Sequence, residues 1–184
     1  MKIHLEKNFI TKKDAQAFID IINDTEIQNG KVLSRRVLRF GHDLFNTTPN
    51  GTENRKDVLE LLKPHLEKVK NLINNTFNHS SKIEVSTVWI SKQAPGSKIM
   101  THDDIDGGKS MHYSHSAIIY LNTQEKDGEL FFPLTGDIFK PEFGDMIAFE
   151  CRPKEAKHGV KTTSQERYAI AMWFTDQDKY RLFE

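Results

Sequence analysis

A single cysteine, Cys151, leaves this 184-residue chain without an internal disulfide, so its stability must come from a packed core, and a reducing compartment is expected. Charge of one sign is also missing: acidic and basic residues balance at 26 each, with no long run of either. The electrostatic footprint for nucleic acid or an anionic membrane surface is therefore lacking. No apolar run approaches the roughly 20 residues that span a bilayer, and the start, Met1-Lys2-Ile3-His4-Leu5-Glu6-Lys7, has no apolar signal-peptide core. The expectation is a cytoplasmic, soluble monomer with no nucleic-acid or membrane partner. Its length suits one domain with its own core.

What is present falls into two textures. Thr11 followed by Asp14 reads as a helix start, and Ala15, Phe18, Ile19 and Ile22 recur at helical spacing, which predicts a helix over 12–28 ended by Gln28-Asn29-Gly30. Residues 31–40 read as an edge strand bearing Arg35, Arg36 and Arg39, followed by a polar loop through Thr47 to Gly51. From Asn54 to Phe77 one apolar stripe runs at helical spacing, with Pro64 inside it expected to kink the helix or start a second. After Ser81 come short β-type runs at 85–91, 99–104, 114–122, 129–132, 145–150 and 168–175, separated by turn signals such as Asp127-Gly128 and Phe143-Gly144-Asp145. The pattern predicts an α+β fold: a jelly-roll (double-stranded β-helix) core buttressed by N-terminal helices. It is expected as one domain over 1–184, with 1–80 mostly helical support and 81–178 the catalytic core.

The chemistry-bearing stretch is Thr101-His102-Asp103-Asp104. On a strand, His102 and Asp104 would leave by one face and Asp103 by the other. With a second imidazole, His158, they make a two-histidine, one-carboxylate set, which binds one face of iron(II) and leaves coordination positions open. Downstream, Arg167 shares a strand face with Ala169, Ala171 and Trp173, and two alanines beside an inward arginine leave a slot in which something binds. Tyr120 shares a face with Ser116 and Ile118, while His115 should face away.

In their order along the chain, four blocks resemble the prolyl 4-hydroxylase-like branch of the 2-oxoglutarate- and iron(II)-dependent dioxygenases. They are His102-Asp103-Asp104, Ile118 to Asn122 with Asp127 to Pro133, Phe143 to Phe149, and His158-Gly159-Val160 with Arg167 to Phe174, covering roughly 85–175. The resemblance implies His102, Asp104 and His158 as catalytic metal ligands. It implies Arg167 as the cation for the far carboxylate of 2-oxoglutarate, with Tyr120, Ile118 and Trp173 beside it. It also implies iron(II), 2-oxoglutarate and O2 as cofactor and cosubstrates, ascorbate as a stimulant, and oxidative decarboxylation to succinate coupled to C–H hydroxylation. The substrate it suggests is a prolyl residue in a peptide or protein. Similar enzymes usually carry tyrosines nine and three residues before the first histidine, where this chain has Gln93 and Ile99.

Other readings stay open on the residues alone: the same cofactors with a free amino acid or other small molecule, a zinc enzyme, or a non-enzymatic jelly-roll metal-binding module. No fourth ligand for a closed structural zinc site stands out, and Cys151 has no evident place in the set. His4, His42, His65 and His79 read as structural. His112 and His115 are candidates for the substrate mouth, and 41–52 and 105–113 for lids.

Overall fold

The chain is described here from a computed structural model covering residues 1–24, 35–41, 56–77, 82–105 and 110–183. The first helix, α1 (Lys12–Asp24), begins where Thr11 and Asp14 predict: the Asp14 backbone N–H donates to Thr11 Oγ1 at 3.2 Å, and that hydroxyl donates to the Asp14 carboxylate at 2.9 Å. Its expected extension to 28 lies outside the described residues, as do most of the loop 41–52 and residues 106–109. The second helix, α2 (Lys56–Phe77), runs unbroken through Pro64. Pro64 is exposed, so the Glu60 carbonyl that loses its helical partner faces water rather than the core.

Among the described residues, ten strands follow an antiparallel scheme in two sheets. The larger contains β1 (Ile3–Glu6), β2 (Arg35–Gly41), β3 (Glu84–Gln93), β5 (Tyr113–Tyr120), β8 (Met146–Glu150) and β10 (Arg167–Thr175), in the order β1-β8-β5-β10-β3-β2. The smaller contains β4 (Ile99–His102), β6 (Leu130–Phe132), β7 (Asp137–Phe139) and β9 (His158–Val160), in the order β4-β9-β6-β7. This is the expected jelly roll, and β2 is at an edge as its arginines suggested. Strand β1, which the sequence does not announce, and the expected β2 come from the support region and close both edges of the larger sheet. Strands β1, β7 and β9, of three or four residues, are too short for an alternation to announce them.

Period-two alternation assigns the two faces of the larger sheet. Met146, Ala148, Ile119 and Ile170 pack under the helices with Phe18, Ile22, Leu62 and Leu66, while Ile147, Phe149 and Tyr120 turn inward to meet Leu130, Phe132 and Val160 of the smaller sheet. The space between the sheets is where the site lies.

One glycine sets the approach of β4 to β9. A Cβ on Gly159 would stand 2.9 Å from the Ile99 carbonyl oxygen and 2.9 Å from the Phe131 ring. Gly159→Ala should therefore cost about 1–3 kcal/mol by overpacking. It should also pry the His158 strand from the His102 strand, visible as a lower melting temperature together with weaker metal binding. An unchanged melting temperature would show that the two strands have slack.

Candidate active site

The register of the smaller sheet pairs His102 directly with His158. Their rings lie 4.5 Å apart, and one ligand atom from each of His102, Asp104 and His158 falls within 4.8 Å of the others. The strand premise needs correction for Asp104. Strand β4 ends at His102, and Asp104 sits in the following turn, so its carboxylate enters the site by a change of chain direction rather than by strand parity.

Both imidazoles are held in one tautomer by their backbones. His102 Nδ1 is 3.0 Å from the Met100 carbonyl and His158 Nδ1 is 2.8 Å from the Ala156 carbonyl. A carbonyl only accepts, so each Nδ1 carries the proton and each neutral ring presents an unprotonated Nε2. Those two nitrogens face Asp104 Oδ1 at 3.4 and 3.9 Å. Burial pushes the His158 pKa down, with the Asp104 charge in opposition, and so favours the neutral ligating form. Burial would raise the Asp104 carboxyl, but the adjacent His102 and His158 rings and the Ser116 hydroxyl hold it below its ordinary value. A carboxylate and two neutral nitrogens around one point fit a divalent ion with open positions.

A single cavity of about 80 Å³ joins this cluster to Arg167, with Ile118, Ala169, Ala171 and Trp173 on its walls. The slot beside the two alanines is therefore present. Arg167 is 3 % exposed, and its Nη1 donates to Gln93 Oε1 at 2.6 Å. Its guanidinium carbon is 5.2 Å from the centre of the Tyr120 ring, and Tyr120 itself lies behind the cavity wall. Two buried polar atoms there, Arg167 Nε and the Tyr120 hydroxyl, have no hydrogen-bond partner in the protein. Burial raises the Tyr120 pKa, against the pull of Arg167, which keeps the phenol a neutral donor. An unpaired buried donor costs about 1–3 kcal/mol, so an arginine and a tyrosine left in this state fit an anionic guest such as a carboxylate.

Other sequence candidates fall elsewhere. His112 is buried against Ser86 (2.9 Å) and stacks on Tyr180 at 4.0 Å, and His115 packs edge-on to Phe77 at 4.9 Å, so neither lines the cavity. His65 packs on Phe18, and His4 lies on Glu6. Three residues that the motifs do not mark do touch the site: Gln93, through Arg167; Ser116, whose Oγ is 2.5 Å from Asp104 Oδ2; and Cys151, whose Sγ is 3.0 Å from Ser116 Oγ. Facing strand register is the signal that connects them, since Gln93 is paired with Arg167 across β3 and β10.

A two-histidine, one-carboxylate cluster with open positions is the ligand set of non-haem iron(II) oxygenases. Residues 88–175 match the model of the 2OG-Fe(II) oxygenase superfamily, a family of iron(II)- and 2-oxoglutarate-using enzymes, and the His102, Asp104 and His158 cluster lies within the matched stretch. A protein of Acanthamoeba polyphaga mimivirus provisionally named prolyl 4-hydroxylase is 24% identical over 182 residues, covering 86% of this chain and 72% of that one. The viral collagen prolyl hydroxylase vCPH of Paramecium Bursaria Chlorella virus-1, solved with 2OG, superposes with a TM-score of 0.70 at 18% identity over 97% of each chain. A prolyl hydroxylase of Trichoplax adhaerens, solved with a hypoxia inducible factor peptide fragment, superposes with a TM-score of 0.63 at 16% identity over 97% of this chain and 85% of that one.

Proposed function

We propose that the chain is a single-domain hydroxylase of peptidyl proline, in which His102, Asp104 and His158 ligate iron(II) and Arg167 with Tyr120 receives the far carboxylate of 2-oxoglutarate. The observation that carries this reading is buried Arg167, which lines the same cavity as the ligand cluster with its Nε unpartnered and the unpartnered Tyr120 hydroxyl behind it. When bound, iron(II) and 2-oxoglutarate supply an oxidative decarboxylation to succinate and CO2 that places one oxygen atom of O2 on a substrate carbon. The protein orients the diacid through Arg167, shapes its slot with Ala169, Ala171, Ile118 and Trp173, and keeps water out with the apolar walls between the sheets.

A prolyl ring as substrate agrees with the proline-modifying relatives and with the aromatic wall of the cavity. There Trp89 and Trp173 stand edge to face at 4.7 Å, and the C–H groups of a pyrrolidine ring pack well on such faces. Anaerobic protein loaded with iron(II) should develop a weak visible charge-transfer band when 2-oxoglutarate is added. Succinate release should then be stimulated by a proline-containing peptide that gains one oxygen by mass. Stimulation by free amino acids alone would assign the enzyme to small molecules, and the lack of any band would remove the iron-cosubstrate assignment.

A further inference from the structure

We propose that Ser116 fixes Asp104 as a one-oxygen metal ligand, with Cys151 holding the serine hydroxyl in orientation behind it. The inference rests on the iron-centre reading above. The two carboxylate oxygens of Asp104 face different neighbours: Oδ1 looks toward the two histidine Nε2 atoms at 3.4 and 3.9 Å, and Oδ2 is 2.5 Å from Ser116 Oγ. An ionised carboxylate only accepts, so the single hydroxyl proton of Ser116 lies on the Asp104 side. The serine oxygen then turns its lone pairs to Cys151 Sγ, 3.0 Å away, which makes the thiol the donor in that contact. The donors thus run one way, from Cys151 S–H to Ser116 O–H to Asp104 Oδ2.

The need for such a brace follows from where Asp104 sits. It is the one member of the cluster in a turn rather than on a strand, so the sheet does not orient it. Ser116 is on β5 in register with Phe149 of β8, and the Cys151 N–H, just past β8, donates to the Ser114 carbonyl at 2.9 Å. The pair is therefore part of the rigid sheet and ties a turn residue to it. A carboxylate oxygen that already accepts a hydroxyl proton is the weaker second ligand, so the contact would favour one-oxygen coordination and leave room for a chelating cosubstrate and O2. Ser116 is in this sense a positioning residue.

The test uses cobalt(II) as a spectroscopic probe on the otherwise intact chain. Ser116→Ala should weaken cobalt(II) roughly 10- to 100-fold, the usual cost of losing a group that orients a ligand, and should alter the visible cobalt(II) absorption. Ser116→Thr and Ser116→Val share a shape and differ only in the hydroxyl, so their comparison stands even if the alanine variant folds poorly. Thr should keep the wild-type affinity and spectrum, and Val should lose both. Cys151→Ala, which leaves the serine hydroxyl in place, should weaken the metal less than Ser116→Ala. Equal behaviour of Thr and Val, or a wild-type spectrum in Ser116→Ala, overturns the role of Ser116 alone. Failure of the wild-type chain to bind cobalt(II) at all overturns the iron centre itself.

Discussion

His102→Ala and His158→Ala should each abolish stable iron(II) binding and, with it, turnover. Loss of a group that merely supports a ligand costs roughly 10- to 100-fold in metal affinity, and loss of one of three protein ligands must exceed that. The two variants should part company in stability, because the two histidines sit differently. The His158 side chain is 6% exposed and packs on Phe149 at 4.9 Å and Phe132 at 5.6 Å, whereas the His102 side chain is 39% exposed. Truncating His158 therefore also opens a gap between the sheets, with a cost on the order of 1–3 kcal/mol in the apoprotein, and truncating His102 does not. Anaerobic titration with iron(II), followed by calorimetric melting of the metal-free proteins, reads both effects. Wild-type metal affinity in either variant would dissolve the proposed triad, and equal melting of the two apoproteins would contradict the packing described for His158.

How far these residues could be read from the chain depends on what kind of contact carries each. His102, Asp104, His158 and Arg167 stand in ordered motifs with fixed spacing, and the structure brings all four to one cavity. Strand parity does not reach Asp104, because β4 ends at His102 and a turn follows. Tyr120 was placed by alternation on an inward face and is there, beside Arg167. Ser116 and Cys151 carry no local signal: thirty-five residues separate them, and only the β5–β8 pairing makes them neighbours. Gln93 was visible as a departure from a tyrosine, but its partnership with Arg167 exists only in the register of β3 with β10. Helix α1 was legible because Thr11, Asp14 and the apolar spacing agree, whereas the three-residue strands β7 and β9 are defined by their partners.

Arg167→Ala should leave the metal in place and remove most of the affinity for 2-oxoglutarate. The guanidinium is buried, so the far carboxylate of the diacid would meet it with little water between them, and a charge left without its partner in such a place is expensive. Truncating one member of a buried hydrogen-bonded charge pair typically costs about 2–4 kcal/mol, or roughly 30- to 700-fold in affinity. Arg167→Lys separates charge from shape: the ammonium retains the charge but lacks the planar fork that serves Gln93 through Nη1 while keeping Nε for a second partner. It should recover only part of the loss. Gln93→Ala, which frees Nη1 and unpins the fork, should weaken 2-oxoglutarate less than Arg167→Ala, because the charge remains. Titrating the charge-transfer band of the iron(II) protein with 2-oxoglutarate gives these affinities directly, and iron(II) binding measured without 2-oxoglutarate serves as the control. An Arg167→Ala protein that takes up 2-oxoglutarate like the wild type would mean that the far carboxylate is held elsewhere, and the unpartnered Nε and Tyr120 hydroxyl would need another guest.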